Sequence, residues 1–104
     1  KTVNSPALKG LADTDVIATT GVDTFDTFVH MLGKENLGHV HFLDGNPGGH
    51  LVPGDGCLAL DGALHTLKAM DYEGYLGLEV LDRRYVMAPE EAMRRSLEWY
   101  MERI

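Results

Sequence analysis

Three short apolar runs alternate along the chain with polar or glycine-rich loops and with helical patterns. The runs cover residues 8–13, 37–43 and 75–81, and each is apolar over most of its length. Strands that are covered on both faces of a parallel sheet have this nearly continuous apolar character. The pattern therefore predicts three parallel β-strands at these positions.

A helical pattern follows each run after a loop. The first loop extends from Asp13 through Gly21, and Asp23 or Thr24 can then cap a helix that Gly33 ends. Asp61 opens the second helix, and residues 89–91 suit the first turn of the third. The apolar positions at helical spacing are Phe25, Phe28, Val29 and Leu32, then Ala63, Leu64, Leu67 and Met70, then Met93, Leu97, Tyr100 and Met101.

Strand, loop and helix repeated three times indicate an α/β fold with a parallel sheet. A parallel sheet of three strands leaves open edges and makes a poor independent domain. Three βα units fit better as part of a (β/α)8 TIM barrel, which typically has about 250 residues. We therefore expect residues 1–104 to form a single incomplete domain, whose edges the rest of a barrel or a homo-oligomer closes.

Charge and cysteine content narrow the class of function. The formal net charge is −7, with 9 basic and 16 acidic residues, which argues against nucleic acid but not against a small phosphorylated ligand. The single Cys57 excludes an internal disulfide and predicts a cytoplasmic protein. No apolar stretch approaches the roughly 18 residues of a membrane span, and none after Lys1 resembles a signal peptide.

Each apolar run ends in or contains a residue able to bind a metal: Asp13, His41 and Glu79. In a (β/α)8 barrel the chemistry lies at the carboxyl ends of the strands. The three residues are separated by 28 and 38 positions, about one βα unit each, so adjacent strands would present them side by side. A mixed set of oxygen and nitrogen donors suits Mn²⁺, Co²⁺, Mg²⁺ or Zn²⁺.

Ordinary structural roles compete with these assignments. An aspartate after a strand, such as Asp13, is commonly a turn or capping residue. A strand histidine is commonly a hydrogen-bonded core residue, although His39 and His41 should share one face of their strand. Glu79 is the strongest indication, because a lone carboxylate in an apolar run is costly to bury unless it is paired, protonated or metal-bound.

Four further residues are predicted to bind substrate. His39 lies in the second strand, and His50 and Asp55 belong to a glycine-rich loop whose backbone can approach a ligand. Arg83, beside Arg84 beyond the third run, can reach a phosphate or a carboxylate. The alternatives are a plain turn for the loop and solvated surface for the arginines.

Three segments together make a family resemblance specific. Residues 39–44 (HVHFLD), 50–56 (HLVPGDG) and 72–79 (YEGYLGLE) resemble the C-terminal third of the xylose-isomerase-like sugar or sugar-phosphate isomerase/epimerase superfamily. Within it, the sequence is similar to fructoselysine 3-epimerases and more loosely to other ketose 3-epimerases. The resemblance covers essentially the whole chain and implies strands six to eight of a TIM barrel.

The resemblance also implies a reaction and a set of ligands. The family holds a divalent metal, here Mn²⁺ or Co²⁺ with Mg²⁺ or Zn²⁺ as alternatives, through Glu, Asp, His and Glu. Asp13, His41 and Glu79 match the last three, and the first glutamate should lie on an earlier strand. The two glutamates move a proton at the carbon next to a carbonyl through an enediolate, so Glu79 would be catalytic and this chain alone inactive.

Departures from the family pattern leave other functions open. Val16 and Pro47 stand where ketohexose 3-epimerases carry a substrate-binding histidine and arginine. An AP endonuclease of the endonuclease IV type is the second enzyme candidate, in which His50 matches a zinc ligand but Gly48 replaces the expected aspartate. A non-catalytic ligand-binding barrel is the third candidate.

Overall fold

A computed structural model describes residues 5–21 and 24–104 of the chain. Strands alternate with helices as the sequence pattern predicts. Short 3-10 segments at Lys34–Asn36 and Arg83–Tyr85 precede β2 and α4. In chain order the main elements are β1 (Gly10–Asp13), α1 (Thr14–Thr20), α2 (Phe25–Leu32), β2 (Leu37–His41), α3 (Leu60–Ala69), β3 (Leu76–Gly77) and α4 (Pro89–Met101).

The three strands form one parallel sheet in the order β1-β2-β3. This confirms the predicted fold class, three βα units of the TIM-barrel type. The register places Asp13 beside His41 and His41 beside Gly77, so the ends of the strands are level.

The strands are shorter than predicted, and β3 shortest of all. Its ladder has two residues, because after Gly77 the backbone turns towards the loop that follows β2. There the amides of Leu81 and Asp82 donate to the carbonyl of His50 at 3.0 and 3.3 Å. Glu79 therefore lies two positions beyond the ladder instead of inside a strand.

The predicted loop between Asp13 and Gly21 is wrong, because these residues flank the helix α1. Oδ1 of Asp13 accepts hydrogen bonds from the amides of Asp15 and Val16 at 2.9 and 2.8 Å, which caps the first turn. Gly21 ends the helix with a φ of +67°, a left-handed conformation that favours glycine. The two caps compensate for the weak helix propensity of the threonines between them.

The predictions for α2 and α3 are correct. Thr24 caps α2, its Oγ1 accepting from the amide of Thr27 at 3.1 Å, whereas the alternative cap Asp23 lies outside the described residues. Gly33 ends α2 at a φ of +80°. The helix α3 begins one residue before Asp61 and buries the predicted side.

Of the four apolar positions predicted for the inner side of α4, Tyr100 packs inward, and the buried side is otherwise a different one. Ala92 and Ser96 are buried, and the rings of Trp99 and Tyr100 pack on Phe42 with centroids 5.8 Å apart in both pairs. The small side chains of Ala92 and Ser96 let α4 pack close to its neighbours, and the rings of Trp99 and Tyr100 cover Phe42. This turns the predicted apolar positions Met93, Leu97 and Met101 towards solvent.

The main core lies between the sheet and the helices α2 and α3. Val40 and Phe42 from β2 and its continuation are fully buried, as is Val29 from α2. This packing covers one face of β2 and leaves its polar end free to contribute to a site. Within the described residues, no helix is long and apolar enough to cross a membrane.

Candidate metal centre

Asp13 uses its two carboxylate oxygens for different purposes. Oδ1 caps α1, whereas Oδ2 lies 3.4 Å from Nδ1 of His41 on the neighbouring strand. The capping bonds fix the carboxylate plane, because the side chain has only two rotatable bonds. The turn role and the site role that the sequence left as alternatives are therefore compatible.

Glu79 completes a cluster at the carboxyl ends of the three strands. Its Oε2 lies 3.3 Å from Nδ1 of His41. One donor atom from each of Asp13, His41 and Glu79 lies within 4.8 Å of the other two. The structure thus brings together the three predicted metal ligands, because parallel strands of matching register end at the same edge.

A hydroxyl bridge holds the ends of β1 and β2 together beside this cluster. Oγ1 of Thr14 donates to the carbonyl of Leu43 at 2.6 Å and accepts from the amide of Leu43 at 2.9 Å. Both residues are buried, so water does not compete for these bonds. The bridge keeps the first residue of α1 in register with the residues that follow His41.

His50 also reaches the cluster, although it belongs to the loop after β2. Its Nε2 lies 3.4 Å from Oε2 of Glu79 and 3.7 Å from Oδ2 of Asp13. Its Nδ1 lies 3.2 Å from Oδ2 of the fully buried Asp15. The amides of Gly48 and His50 donate to Asp15 at 2.6 and 3.0 Å, which fixes the loop above the start of α1.

Asp44 organises the rest of the loop from one buried position. Its carboxylate accepts hydrogen bonds from four backbone amides at 2.8 to 3.1 Å. A charged acceptor with several amide donors makes stronger hydrogen bonds than neutral pairs do. The loop amides therefore bond to this carboxylate, whereas the amides of a strand or helix bond to backbone carbonyls. The donors are Gly45, Gly54, Gly56 and Leu58.

His39 packs edge-on against His41, with ring centroids 5.2 Å apart. The expected common face of the two histidines is therefore observed. The contact depends on Gly77, since a Cβ there would lie 2.9 Å from Nε2 of His39 and 3.3 Å from Cδ2 of His41. The third strand needs glycine at this position to leave room for both rings.

Gly77→Ala is expected to weaken binding of Co²⁺ by about tenfold, because the added methyl collides with the ring of His39 and crowds the ring of His41. Gly62→Ala is the matched control, because a Cβ at position 62 meets nothing within 4 Å. Calorimetric titration of both variants with Co²⁺ checks this expectation. Equal affinities in the two variants would show that Gly77 does not position the histidine.

A cavity of about 490 Å³ opens beside the cluster. Asp13, His41 and Glu79 line one side of it, and the remaining lining is largely apolar. A small ligand in this cavity would touch all three donor residues. The other lining residues are Leu11, Val16, Ile17, Thr20 and Phe28.

The donor distances fit a bound metal better than hydrogen bonds. The separations that link Nδ1 of His41 to Asp13 and Glu79 are 3.4 and 3.3 Å, longer than a normal hydrogen bond. Ligands about 2.1 Å from one metal lie about 3.0 to 3.5 Å from their neighbours. Small side-chain shifts would therefore suffice to hold a dication here.

Asp55 and Arg83, two of the predicted substrate-binding residues, lie elsewhere. The carboxylate of Asp55 accepts from the hydroxyl of Tyr85 at 2.7 Å and pairs with Arg95. The hydrogen bond from Arg95 lowers the pKa of Asp55. Arg83 is exposed and lines a different groove with Met93. The structure does not bring either residue to the cluster, so their roles stay predictions.

Asp15 and Asp44 were not assigned roles from the sequence, although both are buried and organise the site. Their signals were present: Asp15 follows Asp13 by two positions, and Asp44 stands between an apolar strand and a glycine-rich loop. Each signal alone is typical of an ordinary turn. Only the structure shows which backbone amides these carboxylates satisfy.

Residues 1–103 match the family of xylose isomerase-like TIM barrels. The chain therefore belongs to this family of mostly enzymatic barrels, which includes sugar isomerases and epimerases as well as AP endonucleases. Members commonly bind divalent metals, and the Asp13, His41 and Glu79 cluster can serve as such a site. No curated protein matches the chain.

Proposed function

We propose that this chain supplies the metal centre of a divalent-metal-dependent sugar or sugar-phosphate isomerase or epimerase. The observation that carries the proposal is the convergence of Asp13, His41 and Glu79 beside a cavity at the strand ends. Fructoselysine 3-epimerases and ketose 3-epimerases are the members that the sequence motifs favour.

The donor chemistry supports Mn²⁺ or Co²⁺, with Mg²⁺ or Zn²⁺ as alternatives. Two carboxylates and one imidazole form a mixed oxygen and nitrogen set that these dications accept. When bound, a dication would polarise a substrate carbonyl and stabilise negative charge on its oxygen. It would also neutralise the carboxylates that meet at this point of the structure.

The protein residues would divide the remaining work. Glu79 is partly exposed and lines the cavity, so its carboxylate can take a proton from a carbon next to the substrate carbonyl. The apolar wall formed by Leu11, Ile17 and Phe28 would exclude water from that step. His39, at the ring edge of His41, would bind a substrate hydroxyl.

We propose a cytoplasmic homo-oligomer that acts on a small sugar or sugar phosphate. According to the family resemblance, this chain holds strands six to eight of the barrel. The second acid/base carboxylate would then lie on an earlier strand. These residues alone would therefore bind metal and sugar without completing epimerisation. Asp55 and Arg83 would then contact substrate only after a rearrangement of the loop and of the 3-10 segment.

Abasic-site cleavage is the second candidate function, because AP endonucleases belong to the same family. The net charge of −7 disfavours it, since DNA binding normally requires a basic face. A non-catalytic ligand-binding barrel would retain the cavity and need no acid/base group. The partly exposed Glu79 in the cavity favours the catalytic alternative.

Paramagnetic relaxation by bound Mn²⁺ tests the proposal on this chain. We expect NMR signals of a ketose or ketose phosphate to broaden in the presence of the Mn²⁺-loaded chain, most strongly next to the carbonyl. An aldose-derived polyol that lacks the carbonyl is the control ligand and should broaden less. A DNA duplex with one abasic site, incubated with the same loaded chain, should remain intact.

Two outcomes would overturn the proposal. Equal broadening of the ketose and the polyol would show that the metal does not meet a carbonyl. Cleavage of the abasic duplex, lost in Glu79→Gln, would assign the chain to the endonuclease branch of the family.

A further inference from the structure

We propose that Tyr85 positions the carboxylate of Glu79 at the cluster. The Tyr85 hydroxyl is the centre of a clamp whose other members are Asp55 and Arg95. This inference rests on the metal centre of the proposed function. It gives Asp55 a positioning role, whereas the sequence suggested a contact with substrate.

The first argument is that the loop after β2 holds Glu79, because the sheet ends before it. The ladder of β3 ends at Gly77, two positions before Glu79. The next backbone hydrogen bonds of this segment run to the loop, where the amides of Leu81 and Asp82 donate to the carbonyl of His50 at 3.0 and 3.3 Å. The place of the Glu79 carboxylate therefore depends on the path of the loop.

The second argument is that the hydroxyl of Tyr85 ties the same segment to the loop again. It accepts a hydrogen bond from the amide of Val52 at 2.9 Å and donates one to Oδ2 of Asp55 at 2.7 Å. The amide of Tyr85 in turn donates to the carbonyl of Asp82 at 3.1 Å. Both ends of the segment that follows Glu79 are thus attached to the loop.

The clamp also belongs to a second, smaller apolar core. Val80, the residue after Glu79, packs against this core. The packing that seats the loop therefore also seats the segment that carries the carboxylate. Hydrogen bonds in such a place are strong, because water does not compete for them. The buried members of this core are Leu51, Val52, Tyr85 and Ala92.

The third argument concerns the charge states of the clamp. Arg95 of α4 donates to Oδ1 of Asp55, and this hydrogen bond lowers the pKa of the Asp55 carboxyl. Burial and the hydrogen bond to Asp55 raise the pKa of the Tyr85 hydroxyl. At neutral pH Asp55 is therefore ionised and Tyr85 protonated, which is the combination that the observed hydrogen bonds require.

Glu79 depends on this clamp more than the other two residues of the cluster do. Asp13 and His41 are paired in the register of the parallel sheet, so the strands themselves hold them. Glu79 lies beyond the ladder and has the loop as its support. Loss of the Tyr85 hydroxyl should therefore release Glu79 and leave Asp13 and His41 in place.

Tyr85→Phe tests the inference, because it keeps the packed ring and removes only the hydroxyl. We expect binding of Co²⁺ to weaken by about tenfold in calorimetric titration. Tyr75→Phe is the matched control, because Tyr75 is 83% exposed. Its affinity should equal that of the unmodified chain. Circular dichroism checks that both variants keep the fold.

Arg95→Gln is a second variant that opens the clamp from its more exposed side and leaves the apolar core untouched. It removes the charged partner of Asp55, and we expect a loss of Co²⁺ affinity on the order of threefold. Arg95→Lys keeps the charge and should restore most of the affinity. The same titration measures both variants.

Hydrogen exchange of backbone amides, followed by NMR on the metal-free chain, gives a readout that does not depend on metal. In Tyr85→Phe the amides of Leu81 and Asp82 should exchange at least about tenfold faster than in the unmodified chain. The amide of Phe42 donates to the carbonyl of Gly77 at 2.8 Å and should keep its rate. This pattern would show that the segment loosens while β3 stays in the sheet.

A double-mutant cycle shows whether Tyr85 acts through Glu79. In the Glu79→Gln background, Tyr85→Phe should cause no further loss of Co²⁺ affinity, because the positioned carboxylate is already gone. In the Asp13→Asn background, the loss should remain about tenfold. A merely structural role of Tyr85 would give the same loss in both backgrounds.

The outcomes separate this inference from the proposed function. If the unmodified chain binds neither Mn²⁺ nor Co²⁺, the metal centre itself fails, and the inference with it. If the chain binds Co²⁺ and Tyr85→Phe binds it equally well, only the clamp is wrong. Equal losses in the two backgrounds, or unchanged exchange at Leu81 and Asp82, would also overturn the inference.

Discussion

Replacing Glu79 with Gln is expected to weaken binding of Mn²⁺ and Co²⁺ by at least about 100-fold. The carboxylate oxygen of Glu79 faces both imidazoles of the cluster, at 3.3 Å from His41 and 3.4 Å from His50. A neutral amide keeps the size of the side chain but removes its charge, so a dication loses a charged ligand. Isothermal titration calorimetry of the chain and the variant measures the change directly.

Glu73→Gln is the control for this experiment. Glu73 is an exposed glutamate that pairs with Lys34 at the surface, so its neutralisation changes the net charge equally without touching the cluster. Its affinity for both metals should match that of the unmodified chain. If Glu79→Gln and Glu73→Gln bind metal with the same affinity, Glu79 is not a ligand.

Replacing Asp44 with Ala is expected to lower the free energy of unfolding by at least about 3 kcal/mol. The substitution removes the acceptor of four amide hydrogen bonds and leaves backbone donors without a partner in a partly buried loop. Each such donor costs about 1–3 kcal/mol, and these costs are not fully additive. Urea denaturation followed by circular dichroism measures the loss.

Two further variants, Asp44→Asn and Glu73→Ala, serve as controls for the stability of Asp44→Ala. The asparagine retains one acceptor oxygen, so it should destabilise the chain by less than the alanine does. Glu73→Ala removes an exposed carboxylate whose surface ion pair contributes about 0–1 kcal/mol. A loss for Asp44→Ala no larger than that of Glu73→Ala would mean that the loop does not depend on the Asp44 carboxylate.

The fold class and the three strand-end residues were predictable from the sequence. Apolar runs at intervals of about one βα unit indicate parallel strands, and parallel strands place their carboxyl ends at one edge. The positions of Asp13, His41 and Glu79 at or just beyond those ends therefore implied their proximity. The structure bears this out with donor atoms within 4.8 Å of one another.

Features that depend on how one segment packs against another were not predictable. The buried side of α4 is one, because the sequence pattern favours Met93 and Leu97, whereas Ala92 and Ser96 are the buried residues of the helix. Trp99 packs over Phe42 beside the correctly predicted Tyr100. Hydrophobic periodicity indicates which residues of a helix can be buried. It does not indicate which side chains of other elements are in place to cover them.

The sequence by itself determined the alternation of strands and helices and the types of side chain that stand at the three strand ends. Only the tertiary structure decided that Asp15 is buried against the loop and that His50 turns towards Glu79. The contacts with Asp15 join residues 33 and 35 positions apart through hydrogen bonds from loop amides to a buried carboxylate. Such bonds follow from the path of the loop in space, and no local spacing or periodicity of the chain encodes that path.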